Sequence, residues 1–177
     1  MTVHHPAPAG LGLPTWNRVA GWFLRLFNPL ARRMISAGVP TGAPNVLLTV
    51  RGRRSGKPQT VPLALLELDG AWYVQSCYGE TGWVANLRAA SEATVTHPGG
   101  HRVSVRGIEL SPQEAGAVMQ RALESFGRSR VFRALLGRHA RGPAAILSAF
   151  RMRVDETLEE YTDTARRFPL FELRPLP

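Results

Sequence analysis

The chain has one cysteine, one lysine and no long apolar run. With Cys77 alone, neither an intrachain disulfide nor a Cys-x-x-Cys metal or redox site can form, and a reducing compartment is expected. No apolar stretch approaches the roughly 20 residues that a helical membrane span needs. The start, Met1-Thr2-Val3-His4-His5-Pro6, has neither a basic nor an apolar leader segment, which predicts no secretory signal and a cytoplasmic protein. GxSxG, HExxH and a helix-opening GxGxxG are absent, so hydrolase, zincin and Rossmann readings have no support. Gly52 and Gly56-Lys57-Pro58 fall one residue short of a Walker A loop, and Pro58 stands where a magnesium-binding Ser or Thr belongs. Histidines are few and badly spaced for a metal: His97 and His101 flank Pro98-Gly99-Gly100, which breaks any helix, so no metal is expected. Acidic residues are scarce too, 13 against 22 basic ones for a net charge of +9. That balance asks for an anionic partner: nucleic acid, an anionic membrane face or a polyanionic cofactor. Arginine supplies almost all of it, and its planar fork suits phosphate and carboxylate. Nucleic-acid binding would need basic residues interleaved with exposed aromatics. In the basic stretch 128–153 the interleaved apolar residues read as a packing stripe, and no nucleic-acid partner is expected.

What is present suits one domain of 177 residues, 44% hydrophobic and 20% charged. Residues 1–14 form a Pro/Gly-rich loose arm. A helix follows over 15–37, with Trp16, Val19, Ala20, Phe23, Leu26 and Phe27 on one face and arginines around it. Such a helix can pack on the rest of the fold or lie on a membrane surface through residues 15–33. Strands are predicted over 46–51, 60–68, 71–76, 92–96 and 102–110, with Asp69-Gly70 as a hairpin turn and Pro62 marking an edge or bulge. Thr81 is expected to cap a short helix over 82–90. Ser111-Pro112-Gln113-Glu114 is a capping box that starts a helix ending at Gly127, and Asp155 is expected to cap a last one. The alternating Leu170-Phe171-Glu172-Leu173 supplies a closing strand. The fold class is therefore α+β: a small antiparallel barrel over 45–110, with helices and the closing strand over 111–177.

The chain is organised around Arg51-Gly52-Arg53-Arg54-Ser55-Gly56-Lys57-Pro58, a basic loop between two apolar strands. Glycines allow close backbone approach to a ligand, and Arg53, Arg54, Lys57 and Ser55 offer charge-assisted donors. Taken alone, the loop reads equally as an anion holder or as a solvated basic turn.

Three blocks in order decide between these. They are Leu47-Leu48-Thr49-x-x-Gly52-Arg53-Arg54-Ser55-Gly56-Lys57-Pro58-x-Thr60-x-Pro62-Leu63, then Asp69-Gly70-x-Trp72-Tyr73, then Tyr78-Gly79-x-x-x-Trp83-x-x-Asn86-Leu87-Arg88. Together they resemble the deazaflavin-dependent nitroreductase family, split β-barrel reductases that use coenzyme F420. The resemblance implies that Arg53, Arg54, Ser55, Gly56 and Lys57 grip the cofactor's phosphate and acidic tail. Thr60, Pro62 and Leu63 would line the deazaflavin, Ser76, Tyr78 and Gly79 would close around it, and Trp83, Asn86 and Leu87 would pack over it. Two departures stand out: Gln59 where relatives often carry Arg, and Cys77-Tyr78 where they carry Lys. The chemistry implied is hydride transfer from the reduced deazaflavin to a small electron-poor acceptor, a quinone, enone or nitroaromatic. Tyr78 is the first candidate for orienting the acceptor or giving a proton, and Ser76 the second. The same barrel holding FMN, and a non-catalytic cofactor or lipid carrier, are the alternatives. Either a monomer or a homodimer is compatible with the sequence.

Overall fold

The computed structural model describes residues 45–128 and 157–177. The expected arm 1–14, the helix 15–37 with its membrane-surface reading, and nearly all of the basic stretch 128–153 lie outside them. Seven strands are present among the described residues: β1 (Asn45–Arg51), β2 (Pro58–Ala64), β3 (Leu66–Leu68), β4 (Ala71–Gln75), β5 (Glu92–Thr96), β6 (Arg102–Glu109) and β7 (Leu170–Pro175). Three helices accompany them, α1 (Gly82–Ala90), α2 (Pro112–Arg128) and α3 (Leu158–Arg167). No described helix is long and apolar enough to cross a membrane.

The strands form one antiparallel sheet in the order β2-β1-β5-β6-β7-β4-β3. Its two terminal strands, β2 and β3, are separated in the chain by Leu65 alone. One residue spans at most about 3.5 Å, so the sheet curls until its ends meet, which makes a split barrel. Here the structure corrects the single strand expected over 60–68: it breaks at Leu65, where the chain turns the barrel corner. Pro62 lies on the edge strand β2, where a missing N–H costs no ladder bond.

Alternation along β1 sets the two faces. Leu48 pairs with Val61 and Val95, and Val46 with Leu63, all turned inward. The barrel core gathers Val46, Leu48, Val50, Val74, Val105 and Phe171, plugged by Trp83, Val84 and Leu87 from α1. Gly107 on β6 makes room for that plug, since a Cβ there would lie 2.7 Å from Leu87 Cδ2. A second core lies between Leu66, Leu68, Tyr73 and Leu170 and the helices α2 and α3, through Met119, Ala122 and Tyr161.

Both long helices start on reciprocal caps. Ser111 N donates to Glu114 Oε2 at 2.8 Å and Glu114 N donates to Ser111 Oγ at 3.3 Å, as the sequence predicts. The helix continues through Gly127 to Arg128 instead of ending at that glycine. For α3 the cap is Thr157: its hydroxyl accepts from Glu160 N, and Glu160 Oε2 accepts from Thr157 N at 2.7 Å, while the expected cap Asp155 lies outside the described residues.

Candidate cofactor site at the first hairpin

The basic loop joins β1 to β2 and is a built turn. Gly52 N donates to Lys57 O at 2.9 Å, Gly56 N to Gly52 O at 2.8 Å, and Lys57 N to Ser55 Oγ at 3.3 Å. Gly56 has φ +66°, a region that costs most side chains strain. At Gly52 a Cβ would lie 2.9 Å from Ser55 Oγ and 3.0 Å from Lys57 O, so a larger residue would crowd the turn and push its neighbours aside.

Arg51, Arg53, Arg54 and Lys57 are all exposed. Among the described residues none of them has a carboxylate within ion-pair distance. Arg53 is instead held by a neutral group. Asn86 Oδ1 accepts from Arg53 N at 3.2 Å and from Arg53 Nη1 at 2.9 Å, while Asn86 Nδ2 donates to Gln59 Oε1 at 3.0 Å. The same guanidinium reaches Gly82 O at 3.5 Å, which brings the loop to the first turn of α1. A helix start carries partial positive charge from its unpaired N–H groups, so α1 adds to the cationic field there.

The turn before α1 is locked by its own bonds. Ser76 is buried (2% exposed) and its hydroxyl donates to Gly79 O at 2.5 Å, with Thr81 Oγ1 at 3.2 Å. Gly79 N returns a bond to Ser76 O at 3.2 Å, and Gly79 takes φ +70°. Thr81 occupies the N-cap position, yet its side chain makes no cap bond and turns to Ser76. Tyr78 projects from this turn, 42% exposed. Arg88 ties the turn down through Glu80, with Nη1 to Oε2 at 2.6 Å and Nη2 to Oε1 at 2.8 Å. It also grips Glu109 of β6, with Nε to Oε2 at 2.5 Å and Nη2 to Oε1 at 2.7 Å. Those bonds hold the Arg88 guanidinium well above arginine's usual pKa and Glu80 below the usual carboxylate range.

Arg53, Asn86 and the turn at 76–81 thus converge on the start of α1. Trp83 and Leu87 do not line the surface: they are buried in the barrel, Trp83 against Phe171 with ring centroids 5.6 Å apart. The β2 candidates divide between faces. Leu63 packs inward on the core, while Thr60 and Pro62 lie outward opposite Thr49 and Leu47, with Thr60 Oγ1 2.9 Å from Thr49 Oγ1. Three residues to which sequence reasoning assigned no ligand role of their own belong to the site's frame: Gly52, Gln59 and Arg51. Arg51 lines a cleft of about 780 Å³ with residues 52–56 on one side and Ala89, Ala90 and Glu92 on the other. Its place outward on β1, two residues after Thr49, was the available signal.

For an anionic ligand the donor set fits. Cations without acidic partners among the described residues, a hydroxyl at Ser55 and a turn that is tight at Gly52 stand beside a helix start. The family model of the F420H(2)-dependent quinone reductases matches residues 23–125, more than half of the chain. No curated protein matches. Among solved structures the chain is similar to an F420-H2 dependent reductase, FDR-A, at 23% identity over 74% of this chain and 94% of that one, with a TM-score of 0.46. It is also similar to a protein solved as a domain-swapped dimer (20% identity, 90% and 98% covered, TM-score 0.46). A third is an FAD-binding protein of Mesorhizobium loti (16% identity, 84% and 89% covered, TM-score 0.39). The family match alone spans the hairpin, the turn at 76–81 and all of α1, and on that ground the chain belongs to the F420H(2)-dependent quinone reductase family, oxidoreductases whose cofactor is F420.

Proposed function

We propose that this F420-dependent reductase delivers hydride to a small electron-poor acceptor, with a quinone favoured over an enone or a nitroaromatic. In this reading the first hairpin holds the cofactor's anionic part. The observation that carries it is the set of four exposed cations within residues 51–57, on a hydrogen-bonded turn and without acidic partners among the described residues. Bound F420H2 supplies the hydride, so the chain's task is to bind, orient and shield. Arg53, Arg54 and Lys57, with Ser55 and the backbone at Gly56, hold phosphate and carboxylate groups. Each charge-assisted bond contributes roughly 1.5–3 kcal/mol where water is excluded and less where it is not. Thr60, Pro62 and Gly79 border the ring's place, and Leu63 supports β2 from the core side. Trp83 and Leu87 act from below, fixing α1 on the barrel core. Tyr78 carries an exposed phenol that can donate a hydrogen bond to oxyanion developing on the acceptor. The Ser76 hydroxyl already donates its hydrogen bond to Gly79 O, which suits it to holding the turn that presents Tyr78.

The test is a titration of the purified protein with F420 and FMN in parallel, followed by F420H2 oxidation with a panel of quinones, enones and nitroaromatics. F420 should bind more tightly, and oxidation should depend on added quinone. Preference for FMN would overturn the hairpin's role in F420 binding, and F420 binding without acceptor-dependent oxidation would make the protein a carrier.

A further inference from the structure

Asn86 is 2% exposed, and both polar atoms of its side chain are hydrogen-bonded inside the protein. Its Oδ1 takes two donors from Arg53, the backbone N–H at 3.2 Å and Nη1 at 2.9 Å. An amide oxygen has two lone pairs, so none is left. Nδ2 gives one of its two N–H bonds to Gln59 Oε1 at 3.0 Å. The oxygen, the wrong end for an anion, faces the cationic hairpin.

One end of this bridge is fixed by packing and the other by backbone hydrogen bonds. On the helix side, Val84 and Leu87 are fully buried, and Gly107 lets β6 approach to where a Cβ would touch Leu87. On the loop side, the turn is closed by Gly52 N donating to Lys57 O at 2.9 Å and Gly56 N to Gly52 O at 2.8 Å. The Asn86 amide therefore ties two set elements whose residues lie 33 and 27 apart in the chain. Charge completes the case. A carboxylate at this position would hold Arg53 equally well but would cancel its charge, whereas the neutral amide orients the guanidinium and leaves its charge for a ligand.

We propose that Asn86 is a positioning residue: it acts through Arg53 and Gln59 to set the cationic hairpin before the cofactor arrives, and does not itself contact the anion. This rests on the hairpin being the F420 site. Ordering a loop in advance removes part of the entropic cost of binding.

Two measurements test it. In the protein without F420, Asn86→Ala should raise the hydrogen-exchange rate of the Arg53 amide about tenfold or more, since that N–H loses its acceptor. In F420 titrations Asn86→Ala and Arg53→Ala should each raise Kd about tenfold. The double variant should bind no more weakly than Arg53→Ala alone, because the two act along one path. Additive losses, or an unchanged exchange rate at Arg53, would overturn the proposal. The isosteric Asn86→Asp covers the case in which Asn86→Ala fails to fold. It should keep the Arg53 amide protected while weakening F420 binding; wild-type affinity in that variant would also overturn the proposal. If the wild-type protein failed to bind F420, the functional reading would fall, and Arg53 exchange would still decide whether the tether exists.

Discussion

Arg88 stands on α1 and Arg53 lies against it, yet the two guanidiniums have opposite surroundings. Arg88 is enclosed by the carboxylates of Glu80 and Glu109, which neutralise it while joining a turn, a helix and a strand. Arg53 is held just as definitely, but by the uncharged oxygen of Asn86, and Arg54 and Lys57 beside it have no acidic partner among the described residues. The charge on Arg88 is used up in holding the fold together. That of the hairpin is oriented and left over. A stability role and a ligand role can thus be told apart by what surrounds each cation, even on one helix.

The sharpest way to break this distinction is to remove the hairpin set. Replacing Arg53, Arg54 and Lys57 together with Ala should raise the Kd for F420 about 100-fold or more, taking about 1 kcal/mol for each partly hydrated group. Tm should change by no more than about 2 °C, because no ion pair within the fold is lost. Parallel losses of Tm and affinity would erase the contrast. Arg88→Ala should do the reverse. The guanidinium is more than a third exposed, with 39% of its side chain accessible, so solvent screening limits the loss to about 1 kcal/mol. Thermal unfolding should fall by about 2–4 °C for a chain of this size, with F420 affinity changed less than about threefold.

The smallest effect concerns pH. Glu80 is held below its ordinary pKa of 4.5, first by the hydrogen bond from Arg88. A carboxylate with a depressed folded pKa contributes stability that is present above the unfolded value and is lost as pH falls through the folded one. Tm measured downward from pH 5 should therefore decline more steeply in the wild type than in Glu80→Gln. Equal acid slopes would mean that the Arg88 clip is not carried by Glu80's charge.

Much of the fold is written locally. The bounds of α1 and β5 coincide with the expected 82–90 and 92–96, and the capping box at Ser111 is intact. The break at Leu65 was not legible, because Leu63-Ala64-Leu65-Leu66 carries no turn residue; the corner is imposed by a sheet whose ends must meet. The last cap is expected from the sequence at Asp155, two residues before Thr157, the observed N-cap of α3. Only Thr157 has the Glu160 that completes a capping box three residues on. At the site, the loop's charge and glycines could be read directly. The bond from Asn86 to Arg53 and Gln59 could not, since no local pattern encodes partners 33 and 27 residues away. For the same reason Thr81 read as a helix cap, when its hydroxyl serves the Ser76 turn.

Lys57 gives the most direct probe, because it is the chain's only lysine and lies in the hairpin. An amine-directed reagent at alkaline pH has one side chain to modify, and peptide mass spectrometry can follow its rate. Saturating F420 should slow modification of Lys57 about tenfold or more, with half-protection at the Kd found by titration. The same rate with and without bound F420 would contradict the claim that this hairpin holds the cofactor.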